Sequence, residues 1–155
     1  MAIHDLNSLP ESPVVTMLIQ YLKEDNDETL SLIFYALWVS HADMRLMYQA
    51  LQSETASLAI ELVENSVARE IVPFLIPLIE DIPIDEKIQK GRRLFPLMRQ
   101  ETHQRVLTFL ASDDDPVKRF ISILVIAETF PEKSFIPVVE AKLNDESEEV
   151  RQAAM

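Results

Sequence analysis

Residues 110–120 read LASDDDPVKRF: three aspartates in a row, a proline, then Val117, Lys118 and Arg119. Two readings compete. Three carboxylates together suggest a bound cation, but the same residues also suit the junction of two helices. A calcium loop of the EF-hand kind needs acids at alternating positions, a glycine at its sharp turn and a glutamate at position twelve. Asp113, Asp114 and Asp115 are contiguous, lack the glycine and run into Pro116. Adjacent residues do not converge easily on one ion. The junction reading accounts for every residue. Asp115 suits an N-cap, Pro116 suits the first helical position, and the extra acids favour the positive end of the helix dipole. The stretch therefore predicts a turn between two helices, 100–112 and 116–130.

The apolar residues on either side support helices. Val117, Phe120, Ile121, Leu124 and Val125 fall at i, i+3, i+4, i+7 and i+8, the spacing of one helix face. Ile123 and Ile126 make the other face of 116–130 apolar as well, which predicts a helix buried between neighbours. The same spacing recurs upstream at Leu30, Ile33, Phe34, Leu37 and Trp38, at Met44, Met47, Tyr48 and Leu51, at Leu58, Ala59, Leu62 and Val63, and at Ile71, Phe74, Leu75, Leu78 and Ile79. Acidic linkers separate these runs, among them KEDNDE, QSE, EDIPIDE and NDESEE. The full expectation is ten helices over 13–24, 27–40, 42–52, 54–66, 69–80, 84–94, 100–112, 116–130, 133–143 and 147–155, after an N-terminal extension, 1–12. Short linkers force successive helices to lie antiparallel. IVPFLIPLI is apolar enough for a strand, but Pro73 and Pro77 forbid a central one.

Composition narrows the function classes. The 155 residues hold one glycine, Gly91, and no cysteine. No glycine-rich phosphate loop can be written, and thiolate zinc sites, disulfides and cysteine nucleophiles are excluded together. The net charge of −12 repels a phosphate backbone, so nucleic acid is not expected as a partner. No run of about 18 uncharged apolar residues appears, and the N-terminus lacks the plan of a signal peptide. His4, His41 and His103 carry no metal-ligand spacing, and no serine sits in a nucleophile elbow. No catalytic residue, cofactor or metal ligand is assigned. His41 is expected to end helix 27–40, where a partial positive charge suits the dipole.

The helices also repeat. Leu22, Leu51, Leu78, Leu110 and Leu143 each close a helix before an acidic turn, at spacings of 29, 27, 32 and 33 residues. LASDDDPVKRF aligns with LNDESEEVRQA, with Val117 over Val150 and Lys118 over Arg151. FIPVVEAKL at 135–143 has a counterpart in FLIPLIEDI at 74–82. The pattern of Ile-Pro, a closing leucine, an acidic turn and a valine before a basic residue resembles HEAT repeats. That resemblance implies an all-α fold, a HEAT-like α-solenoid of about five antiparallel hairpins over 13–155, with Lys118 and Arg151 pairing acids of neighbouring repeats. Residues 46–88 are similar to a HEAT-like segment of bacterial proteins that follows an ATP/ADP-translocase-like or major-facilitator-like membrane domain. A cyclic-nucleotide-binding domain often comes after it there. The matching residues are Ala59 to Asn65 and Pro77 to Asp81, with Ile60, Val63 and Glu64 departing from the pattern.

These readings imply a non-catalytic interaction or regulatory module. It is expected to be cytoplasmic, at the cytosolic face of a membrane within a larger transporter-linked protein, and to continue past Met155, where no polar capping repeat is seen. Inner helices beginning near Leu30, Leu58, Asp85, Pro116 and Glu148 would line a concave strip facing a protein partner or an adjacent domain. Lys87, Lys90, Arg92, Arg93, Arg99 and Arg105 reverse the local charge. Lys87, Lys90, Arg92 and Arg93, with Lys118 and Arg151, form the candidate interaction patch. Glu80, Asp81, Asp85 and Glu86 are the acids that would balance it as a solvated face. Self-association through an open solenoid end is a further expected behaviour. The alternative class is enzyme-associated: other HEAT-like families attach bilin chromophores to phycobiliproteins, or excise damaged DNA bases. No motif diagnostic of the first is present, and −12 opposes the second.

Overall fold

The computed structural model describes residues 2–40, 44–51, 56–94, 102–130 and 133–155. Every regular element among them is helical, so the fold is all-α. The helices are α1 (Ala2–Leu6), α2 (Pro13–Ser40), α3 (Met44–Leu51), α4 (Ala56–Ser66), α5 (Val72–Ile79), α6 (Ile84–Leu94), α7 (His103–Leu110), α8 (Pro116–Thr129), α9 (Ile136–Lys142) and α10 (Glu148–Ala153). A 3-10 turn, Lys133–Phe135, leads into α9.

The largest departure from expectation is α2. The sequence predicts two helices broken at KEDNDE, yet α2 runs unbroken for 28 residues. No proline or glycine follows Pro13 in this stretch, so nothing forces the backbone out of the helix. Apolar side chains are buried on either side of the polar run, in the two separate cores. Val15, Leu18 and Leu22 are buried before it, and Phe34 after it. Lys23, Glu24, Asn26, Asp27 and Glu28 are exposed, and Gln20 Nε2 donates to Glu24 Oε1 one turn on at 2.8 Å. Leu22 therefore lies inside a helix rather than closing one.

The chain divides into two compact units, Met1–Glu24 with Gln100–Met155, and Asp25–Arg99. The division falls within the KEDNDE run, so the change of composition marks a change of packing partners, not a turn. In the first unit, α8 packs on both α7 and α10. Ile121, Ile123, Val125 and Ile126 are all buried there, as expected of a helix apolar all round. The first twelve residues contribute α1 and bury Leu6 and Leu9 in the same core. In the second unit α3 packs on α4, α4 on α5 and α5 on α6. Phe34, Met44, Met47, Val63 and Leu75 are its buried centre.

Periodicity overstates burial in this second unit. Leu58, Leu62, Phe74 and Leu78 lie on expected core faces yet are exposed. Each helix has a wider apolar arc than its neighbours cover, and only the middle of the arc is enclosed: Ala59 and Val63 on α4, Leu75 and Ile76 on α5.

Candidate interaction surface

The turn that opened the sequence reading occurs twice in the first unit, in the same geometry. Asp115 N-caps α8: its Oδ1 accepts from Val117 N at 2.9 Å. Ser147 N-caps α10, its Oγ accepting from Val150 N at 3.4 Å. Two residues before each cap an aspartate braces the turn. Asp113 Oδ1 accepts from Asp115 N at 3.0 Å, and Asp145 Oδ1 accepts from Ser147 N at 3.1 Å. Four residues after each cap stands an arginine that closes it. Arg119 Nη1 donates to the carbonyls of Asp113 (3.0 Å) and Asp114 (2.8 Å). Arg151 Nη1 donates to those of Asp145 (2.7 Å) and Glu146 (3.0 Å).

The structural repeat is therefore 32 residues, Asp113 onto Asp145 and Arg119 onto Arg151. The apolar alignment sets Val117 over Val150, one residue out of this register. Arg119, not Lys118, is the counterpart of Arg151. Lys118 instead approaches its own turn, with Nζ 3.9 Å from Asp113 Oδ1.

Arg119 does more than close its own turn. Its Nε donates to Asp145 Oδ2 at 3.1 Å and its Nη2 to Asp145 Oδ1 at 2.8 Å, a two-pronged grip on the aspartate of the next turn. Nη2 also reaches Glu146 Oε1 at 3.2 Å. The two side chains are only 5% and 6% exposed, so they form a shielded ion pair of the geometry arginine favours. The hydrogen bonds from Arg119 hold the Asp145 carboxyl down at about 2, helped by Ser147 N and Lys142 and opposed by desolvation. Asp145 in turn raises the Arg119 pKa above its ordinary value through the same bonds, again against desolvation. A pairing between neighbouring turns of the kind expected of Lys118 and Arg151 is thus made by Arg119. The signal was present as Asp-x-Asp/Ser-x-x-x-Arg at 113–119 and 145–151.

The other members of the expected patch lie in the second unit, on α6. Lys87 Nζ donates to the Leu78 carbonyl at 3.2 Å, where it meets the last turn of α5. Lys90 pairs with Glu80 and lies 3.9 Å from Glu86 Oε1. Both lysines are half-buried and engaged in joining α6 to the end of α5, which is the balancing role foreseen for Glu80 and Glu86. Arg92 has a buried Nε with no hydrogen-bond partner, and Arg93 is exposed. Arg99 and His41 fall outside the described residues.

Two further features bear on function. Along α2 the side chains of Leu32, Tyr35 and Val39 are 62%, 62% and 81% exposed, at i, i+3 and i+7 on one helix face. Beside them is an open cavity of about 370 Å³ lined by Phe34, Tyr35, Trp38, Tyr48 and Arg45 among others. The Arg45 guanidinium stands 5.8 Å from the Trp38 ring centre, within cation–π range. In the first unit Ser8 Oγ lies 2.7 Å from His103 Nε2 and also donates to the Asp5 carbonyl at 2.8 Å. Among the described residues no carboxylate orients the other ring nitrogen. The pair ties the α1 end to α7.

Helical hairpin packing joined by repeated acidic turns defines the class of this chain no further than all-α. No family model, curated protein or solved structure matches it.

Proposed function

We propose that this chain is a non-catalytic interaction module that recognises a protein partner through apolar helix surface. The observation that carries the reading is the stripe Leu32, Tyr35 and Val39 on α2, an exposed run of large apolar side chains beside an aromatic-lined cavity. Exposed apolar patches of this kind mark recognition surfaces, and helix faces with such spacing dock into partner grooves or against partner helices. The finer architecture we propose is a HEAT-like stack of hairpins. Its support is the 32-residue repeat of capped turns, joined by the grip of Arg119 on Asp145.

The placement beside a membrane transporter domain, at the cytosolic face, rests on the likeness of residues 46–88. These residues contribute α3, α4 and α5 and the start of α6. No helix among the described residues is long and apolar enough to cross a membrane.

Leu32→Glu with Val39→Glu tests the interaction reading, because both positions are exposed and the double variant should keep its helical circular dichroism. Crosslinking in the native cell should yield a partner adduct with the wild type that the variant loses. Equal adducts from both would refute it. Fractionation of the native polypeptide tests the transporter link separately: a small species released without detergent would remove that part and leave the module standing.

A further inference from the structure

The exposed stripe on α2 reads the same in both directions. Glu28, Leu32, Tyr35 and Val39 are all exposed and follow one another at steps of 4, 3 and 4 residues. This is the heptad spacing that lets one helix lie along another. From either end the steps are identical. Laid antiparallel on its own copy, the stripe therefore sets Leu32 opposite Tyr35 and Glu28 opposite Val39, each pair occurring in both directions. That is the self-complementary contact a two-fold axis requires.

Charge selects the same arrangement. The chain carries 26 acidic and 14 basic residues, so two copies repel each other overall. Thr29 to Ser40 hold no charged residue, and that repulsion is least along this run. Glu28 stands at one end of it. At the other end the exposed Arg45 of α3 places its guanidinium 5.8 Å from the Trp38 ring centre, next to Val39. A parallel pair would set Glu28 against Glu28. An antiparallel pair brings each Glu28 to the end that carries Arg45, and turns the cavity beside Tyr35 toward the other copy's Leu32. Every residue involved belongs to the Asp25–Arg99 unit.

We propose that two copies of this chain pair antiparallel through the α2 stripe, with Leu32 against Tyr35 at the two-fold axis and Glu28 of each copy facing Arg45 of the other. The proposal rests on the reading of the stripe as a recognition surface, and it names a second copy as the occupant.

The test is sedimentation equilibrium of the full chain over a range of concentrations, with circular dichroism checking that each variant keeps its helix. The wild type should dimerise, and Leu32→Glu with Val39→Glu should be monomeric. Glu28→Arg and Arg45→Glu, made singly, should each weaken the dimer about tenfold or more by setting like charges together. The two changes combined in one chain restore opposite charges across the axis and should recover most of that loss. A wild type that stays monomeric at every concentration would overturn the second copy as occupant. A cellular adduct with a different protein, lost in Leu32→Glu with Val39→Glu, would then still uphold the recognition surface, and its absence would end both readings. A dimer that survives Leu32→Glu with Val39→Glu would overturn the choice of surface. A dimer lost in that variant but indifferent to the charge changes, single and combined, would overturn the antiparallel pairing.

Discussion

Replacing Arg119 by methionine keeps an unbranched stem reaching about as far as Nε and removes the charge and all the donors. The variant loses the 3.1 and 2.8 Å bonds to Asp145, the 3.2 Å bond to Glu146 and the 3.0 and 2.8 Å bonds to the Asp113 and Asp114 carbonyls. Asp145 stays behind, 6% exposed, with only Ser147 N and Lys142 to hold its charge. Stripping one partner from a shielded ion pair costs about 3–5 kcal/mol. The Arg119–Asp145 pair sits at the edge of the turn beside an exposed Glu146, so the lower end, about 3 kcal/mol, is expected. Part of that is pH-dependent, and its sign follows from the depressed carboxyl. Asp145 at about 2 against an ordinary 3.9 binds its proton less readily folded than unfolded. Its contribution is fully present above about pH 4 and is lost as pH falls through about 2. The shift corresponds to at most about 2.5 kcal/mol, and solvent near the turn screens this to a smaller value.

The assay is urea unfolding followed by far-ultraviolet circular dichroism from pH 7 to pH 2, on wild type and variant together. The other carboxylates titrate in both proteins, so the difference between them isolates this pair. Trp38, the single tryptophan, reports the Asp25–Arg99 unit and shows whether the effect spreads there. A difference below about 1 kcal/mol at pH 7 would refute the assignment of Arg119 as the tie between the two turns. So would a difference that stays constant from pH 5 to pH 2.

Three other outcomes are expected. Asp115→Ala removes the cap on Val117 N and an acceptor for Tyr21 OH at 2.8 Å, and should cost about 1–2 kcal/mol, read from the urea midpoint. Asn26→Pro places a proline inside α2, which runs through this position, and should cost about 3 kcal/mol with a fall in helix signal. An unchanged midpoint would restore the turn that KEDNDE suggests. Lys118→Met removes the 3.9 Å contact with Asp113 Oδ1 and should change stability by less than about 1 kcal/mol, measured beside Arg119→Met.

Much of the helix inventory was legible because apolar spacing and capping chemistry agreed. The acidic cap and proline of α8 are visible in Asp115 and Pro116, and α6 falls on the expected 84–94. KEDNDE was misread because acidity resembles a linker, whereas helices end where the backbone is forced to turn. With no glycine or proline to break it, α2 runs through KEDNDE, whose residues other than Asp25 are exposed. The extent of the core was misread for a related reason. Periodicity shows which arc of a helix is apolar, and burial depends on how much of that arc a neighbour covers. Phe74 and Leu78 are apolar and exposed because α5 is covered on one side of its arc only.

The register of the repeat carries the deeper lesson. Matching valines gives a period of 33, and matching polar geometry gives 32. The matched valines are not equivalent, since Val150 is buried and Val117 is exposed, and a non-directional apolar contact does not tie a helix to one phase. An aspartate that must accept from the amide two residues on, and an arginine that must reach two carbonyls five and six residues back, have no such freedom. Polar turns therefore fix the phase of a helical repeat more sharply than its core does. The same reasoning makes Arg119 and Arg151 a pair and sets Lys118 aside, even though Lys118 is basic, adjacent and aligned by its valine.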